Sequence, residues 1–226
     1  MRKILLLLLF KSLFSIEGWN DLGSPVPIPY EKIVTNYQNG NTTINFSMQG
    51  FYQLPAKVNN ETEYIIKTIN GASLLKADSP DLQKFSSSII IPDGAEMSVR
   101  IDNVDFIEFE NIDIAPSKGN LSRLINPQTI PYNKGNVYNV NSFFPGKLAD
   151  LNDPYILRDL RGQAVTVYPF QYNPITKVLR VYTDIIVTVF PIGESDINII
   201  NRTEELTKID KEYQTIYSNH FENFNE

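Results

Sequence analysis

The strongest constraint on this chain is an alternation of apolar and polar residues near its C-terminal third. From Val178 to Phe190, Leu179, Val181, Ile185, Val187 and Val189 fall on one face, while Arg180, Tyr182, Asp184 and Thr188 fall mostly on the other. A period of two is the signature of a strand with one face in a core and one near water, and a helix cannot hold it. Shorter runs repeat the pattern: Ile44 to Met48, Tyr64 to Ile69, Ser88 to Ile91 ending at Pro92-Asp93-Gly94, then Met97, Val99 and Ile101, then Phe106 to Phe109, and Val165 to Tyr168. The turns between them are rich in Asn, Gly and Pro. Val165 to Phe190 reads as a hairpin closed by Asn173-Pro174. Only at the end does the period change, with Tyr213, Ile216, Tyr217 and Phe221 spaced as one short amphipathic helix. The pattern predicts an all-β antiparallel β-sandwich, jelly-roll-like, with a short C-terminal helix.

Domain organisation follows. Met1-Arg2-Lys3 precedes the apolar run Ile4 to Phe10, and Lys11 interrupts it. A basic start and a short apolar stretch read as a signal peptide over about residues 1–19, while spanning a bilayer takes roughly 20 apolar residues, so no transmembrane anchor is expected. The chain is expected to be exported to the periplasm or the extracellular space. Residues 20–226 then form a single sandwich, with a C-terminal tail from about 194. The stretch from Ile114 to Asp159 has little periodicity, and a loop that long in a compact domain is usually functional or built of its own turns.

Composition removes several functions. There is no cysteine and one histidine, His220, which excludes thiol nucleophiles, disulfides, zinc–thiolate sites and nearly every histidine-assisted mechanism. The net charge of −6 speaks against a nucleic-acid partner. No enzyme activity or cofactor is expected and no metal motif is present; calcium is conceivable at Asp150, Asn152 and Asp153, although they lack the glycine and terminal glutamate of a calcium loop. Carboxylate pairs such as Asp102 with Asp105 and Glu108 with Glu110 read as a solvated strand face. Asn-x-Ser/Thr matches such as those at Asn41, Asn60, Asn120 and Asn201 arise freely in an Asn-rich chain.

Other residues carry a resemblance. In order they are Ile114 to Gly119, Ser122-Arg123, Asn126-Pro127, Ile130-Pro131-Tyr132, Phe143 to Gly146, Asp153-Pro154, Ile156 to Asp159, Arg161-Gly162-Gln163, Gln171 to Pro174, Thr176-Lys177 and Leu179-Arg180. This series closely resembles the N-terminal propeptide domain of the gingipains, secreted cysteine peptidases of the caspase-like clan, and in particular of the arginine-specific members. It is dense from about 90 to 190 and returns in the spaced aromatics Tyr213, Tyr217, Phe221 and Phe224. The resemblance implies a β-sandwich prodomain that docks one-to-one on the peptidase's catalytic domain, keeps it inactive and assists its folding. It implies that Arg123, within an inhibitory loop at about 116–131, enters the primary specificity pocket. Lys118 would belong to the turn leading in, with Ser122, Leu124, Ile125 and Asn126 flanking the anchor. The chain ends at Glu226, where a peptidase domain would be expected to begin, and no arginine follows Arg202. A precursor cut short and a free-standing inhibitor both fit that ending.

The chemistry of the residues agrees. An arginine pocket offers an acid in planar geometry that a guanidinium fork satisfies with two hydrogen bonds, where a lysine would act as a point charge. Without the resemblance, Arg123 reads as a solvated surface group, and Asp153, Arg158, Asp159 and Arg161 as a structural ion-pair cluster. The other functional class open to such a chain is an exported sandwich that binds carbohydrate or a cell-surface protein through Tyr132 and Tyr138. The aromatics at 143–144 fit either a core lid or a docking surface.

Overall fold

The computed structural model describes residues 16–36, 39–203, 206 and 209–224. Most of the expected signal peptide lies outside the described residues, although Trp19 already belongs to a strand. In chain order the strands are β1 (Trp19–Asp21), β2 (Glu31–Asn36), β3 (Thr42–Ser47), β4 (Gly50–Val58), β5 (Glu61–Lys67), β6 (Ala72–Ser73), β7 (Gln83–Ile90) and β8 (Ala95–Phe109). They continue with β9 (Ala149–Leu151), β10 (Tyr155–Leu157), β11 (Leu160–Val167), β12 (Phe170–Asn173) and β13 (Val178–Glu194), and a helix α1 (Lys211–His220) follows. No described helix is long and apolar enough to cross a membrane.

All the strand pairings are antiparallel. One sheet runs β10-β11-β7-β6 with β9 beside β11; a second runs β12-β13-β3-β2 with β8 on the other side of β13; a third, smaller one is β1-β4-β5. The core lies between the first two. Phe85 and Ile89 of β7 and Val165 and Val167 of β11 pack with Ile44 and Phe46 of β3 and the apolar row of β13 in one cluster. Each such side chain contributes about 1.5–3 kcal/mol by leaving water. This is the antiparallel sandwich with a C-terminal helix that the periodicity predicts.

Three local readings change. Met97–Ile101 and Phe106–Phe109 are one strand, β8, paired with β13 along its whole length. Asp102 is an extra residue there, between the pairs Ile186–Asn103 and Val187–Ile101. Such a bulge slips the phase of the alternation and makes one strand look like two. The hairpin is shorter than expected: only β12 pairs with β13, while β11 lies in the opposite sheet. The chain changes sheets at Tyr168-Pro169, which a one-dimensional pattern does not mark. In the helix, Tyr217 is buried and Ile216 is exposed, and Phe221, just beyond the helix, completes a small cluster with Leu160.

Candidate functional site

The aperiodic stretch leaves the sandwich at a clamped point. Tyr64 and Ile114 form a bridge, and so do Pro80 and Pro116. Ser117 N–H donates to Ser79 O at 2.7 Å, and Asp78 N–H donates to Ser117 O at 3.0 Å. The chain then turns at Gly119, whose φ is +79°. A Cβ there would stand 2.9 Å from the Cβ of Ala77, so the backbone is pressed against its neighbour and only glycine fits without a shift.

Beyond that point Ser122 to Thr129 are eight consecutive exposed residues. Ile125 N–H donates to Ser122 O at 3.0 Å, closing a turn with Arg123 and Leu124 at its corner. Leu124 N–H also leans on Ser122 Oγ at 3.4 Å. Asn126 starts a single 3-10 turn over Pro127–Thr129: its Oδ1 accepts from Gln128 N–H, and its carbonyl accepts from Thr129 N–H and Oγ1. Leu124 is 96% exposed, a fully wetted leucine beside an exposed arginine.

The returning leg is fastened as firmly as the outgoing one. Tyr132 packs against Ala56, Val58 and Ala115. Lys134 Nζ meets the buried carboxylate of Glu63 at 2.8 Å. Gly135 N–H donates to Asp78 O at 2.8 Å. Tyr138 donates its hydroxyl to Ile114 O at 2.8 Å, and burial together with Glu63 pushes that phenol well above its usual range. Lys118 Nζ reaches across the neck to Pro127 O at 2.7 Å and lies 4.1 Å above the Tyr132 ring. The six residues expected at the site, Lys118, Ser122, Arg123, Leu124, Ile125 and Asn126, are thus in one projecting loop. Neither Lys118's crossing nor the Glu63–Lys134 pair was legible in the sequence; Gly119 was the one local signal of a tight approach.

Arg123 differs from every other described arginine. Arg100 pairs with Asp102 at 2.7 Å. Arg158 stacks 3.7 Å from Tyr213 and meets Asp159 and Asp210. Arg180 holds Glu108 at 2.7 Å and lies over Phe106 and Phe143. Arg202 binds Asp93 and the carbonyl of Asp159. Arg161 is buried, and its donors reach Pro92 O, Ala95 O, Ile197 O, Asn198 O and Ser195 Oγ at 2.7–3.1 Å. Among the described residues, the Arg123 guanidinium alone makes no hydrogen bond, ion pair or ring contact. Among the described residues the expected ion-pair cluster therefore shrinks to Arg158 with Asp159 and Asp210, because the donors of Arg161 go to main-chain carbonyls and Ser195, and Asp153 forms no ion pair.

The remaining readings also find their places. Tyr132 and Tyr138 are half-buried supports of the loop rather than an exposed binding face. Phe144 packs on the main core, and Phe143 lies under Arg180. Asp150 pairs with Lys147, and among the described residues no group of three or more acidic or histidine side chains could hold a metal. His220 Nε2 is 2.7 Å from the hydroxyl of Tyr155, in the packing of the terminal helix.

The family model Propeptide_C25 matches residues 29–219. The chain belongs to this family, the gingipain propeptides. Gingipain R1 of Porphyromonas gingivalis is 36% identical over 192 residues, which are 85% of this chain and 19% of that protein. Gingipain R2 of the same species is 41% identical over 152 residues, 66% of this chain and 21% of that protein. This gingipain propeptide therefore spans about a fifth of the length of these two relatives. A solved complex of the P. gingivalis RgpB pro- and mature domains contains a similar fold, with a TM-score of 0.78 and 34% identity over 86% of this chain and 98% of that one. A second structure, concerned with zymogenic latency of gingipain K from P. gingivalis, matches with a TM-score of 0.65 and 19% identity over 77% of this chain and 98% of that one, a likeness of fold alone. The chain is a propeptide domain and not a catalytic one.

Proposed function

We propose that this exported domain keeps an arginine-specific gingipain-type cysteine peptidase latent and assists its folding, by docking one-to-one on the catalytic domain with Arg123 in the primary specificity pocket. The relatives that support an arginine-specific partner are gingipains R1 and R2, and the similar fold occurs in a complex of pro- and mature domains. One observation carries the anchor: Arg123 is the unpartnered arginine among the described residues, at the corner of a turn whose two legs are fastened to the sandwich. Its guanidinium is free to meet a planar acid in two parallel hydrogen bonds. Leu124 and Ile125 are exposed beside it and suit neighbouring apolar subsites. Much of the ordering cost is met before binding, because the turn and the legs are already formed.

The test is a titration of mature gingipain R2 with the domain, read by hydrolysis of an arginyl substrate. The wild-type chain is expected to inhibit competitively and stoichiometrically. Arg123→Ala is expected to raise the inhibition constant by roughly 100-fold or more, the scale of a central anchor residue. Arg123→Lys loses the fork geometry and is expected to weaken binding by a smaller factor. Unchanged inhibition by the alanine variant moves the anchor to another residue, and absence of inhibition by the wild-type chain removes the proposal for this peptidase.

A further inference from the structure

We infer that Lys118 is a positioning residue that makes the Arg123 loop an inhibitor rather than a substrate, by tying its two legs together at the neck; this rests on the inhibitory reading above. The hydrogen bonds of residues 122–130 described above stay inside that segment, except the one that Lys118 donates to Pro127 O at 2.7 Å. The same ammonium sits 4.1 Å above the ring of Tyr132, which is itself packed on Ala56, Val58 and Ala115. Lys118 thus joins the outgoing leg to the returning leg and joins both to the sandwich. The backbone behind it cannot retreat, since Gly119 is already against Ala77.

The position of this tie in the sequence gives it its effect. Lys118 precedes the Arg123–Leu124 bond, while Pro127 and Tyr132 follow it. A loop that is pinned on both sides of its scissile bond cannot relax into each successive geometry that peptide hydrolysis demands. If the bond is cut, the tie still spans the break and keeps the new ends near each other. Without it the turn from Ser122 to Ile125 remains, held by one main-chain bond at 3.0 Å and the 3.4 Å contact from Leu124. Such a loop still presents Arg123 but opens more often. A hydrogen bond from a charged donor, with a ring contact beneath it, restrains such opening by roughly a factor of ten.

The experiment compares wild-type chain with Lys118→Met, Tyr132→Leu and Tyr132→Phe. Each is exposed under native conditions to trypsin and, separately, to mature gingipain R2, with mass spectrometry locating every cut. Lys118→Met is expected to be cut after Arg123 roughly ten times faster by either peptidase. Its inhibition of gingipain R2 should decay with time in step with the cut after Arg123. Tyr132→Leu should follow it in part, whereas Tyr132→Phe, which keeps the ring, should match wild type. Equal rates after Arg123 in wild type and Lys118→Met would overturn the inference, as would acceleration at Arg158 and Arg180 too, since that reports general loosening. If wild-type chain fails to inhibit gingipain R2, the inhibitory reading falls by itself, and the trypsin rates still decide whether Lys118 restrains the loop.

Discussion

Two arginines 38 residues apart in this chain, Arg123 and Arg161, have opposite surroundings and teach what an arginine is for. Arg161 is 1% exposed, and five acceptors from residues 92–95 and 195–198 surround it. Burial pushes its guanidinium below the usual arginine range, yet the carbonyls keep it charged. It fastens the chain that follows β13 to the turn between β7 and β8. Arg123 is exposed and makes no hydrogen bond, ion pair or ring contact among the described residues, at the corner of the turn from Ser122 to Ile125. The first fork is spent on the fold; the second is, in the proposal above, the one offered to the peptidase.

The sharpest way to break that contrast is to remove the buried fork. Arg161→Ala should cost about 3–5 kcal/mol, because it empties a cavity and leaves several carbonyls without donors. Urea unfolding measures it, and at temperatures where the variant remains folded its inhibition of gingipain R2 should be unchanged. Arg123→Ala reverses the profile: the roughly 100-fold loss of inhibition should come with a stability change within about 0.5 kcal/mol. A large stability loss there would mean that Arg123 has a structural partner.

Smaller effects sharpen the boundary between the two regions. Next to the buried arginine, Gly162→Ala would put a Cβ 2.4 Å from Cε1 of Phe221 and 2.8 Å from Cζ of Tyr155. The terminal aromatic cluster must shift, at about 1–3 kcal/mol, and thermal unfolding should register it while inhibition does not. Under the loop, Asp81 is largely buried beside Lys67 at 3.7 Å, and its burial outweighs that lysine and raises its carboxyl above the usual range. A raised folded-state value means that the stability it contributes is fully present below the unfolded carboxylate range and is lost as pH rises through the raised value. Asp81→Asn is therefore expected to flatten this part of the pH dependence and to raise stability at neutral pH by about 1 kcal/mol or less.

The same two regions show what could be read without coordinates. The β13 alternation, the turn at Pro92 to Gly94 and the aromatic spacing of α1 are short-range patterns, and each led to the right element. Arg123 was singled out by a resemblance, and it lies among eight consecutive exposed residues. What stayed hidden has one physical cause: the contacts that define both sites end on main-chain carbonyls. Arg161 binds the carbonyls of Pro92, Ala95, Ile197 and Asn198, and Lys118 binds that of Pro127. Every residue has a carbonyl, so no residue type marks the partner. A buried arginine therefore looked like an ion-pair member, and a neck lysine looked like part of a turn. Asp102 hid in a similar way, because a bulge erases the period that would have joined the halves of β8.

The measurement closest to the central claim is competition for the arginine pocket itself. Binding of the wild-type domain to mature gingipain R2 is followed while benzamidine, an arginine mimic, is added in increasing amounts. With Arg123 in that pocket, the apparent dissociation constant of the wild-type domain should rise in proportion to benzamidine, and the weaker binding that remains in Arg123→Ala should not respond. A wild-type dissociation constant indifferent to saturating benzamidine would contradict the claim, because pocket and prodomain would then be occupied at once.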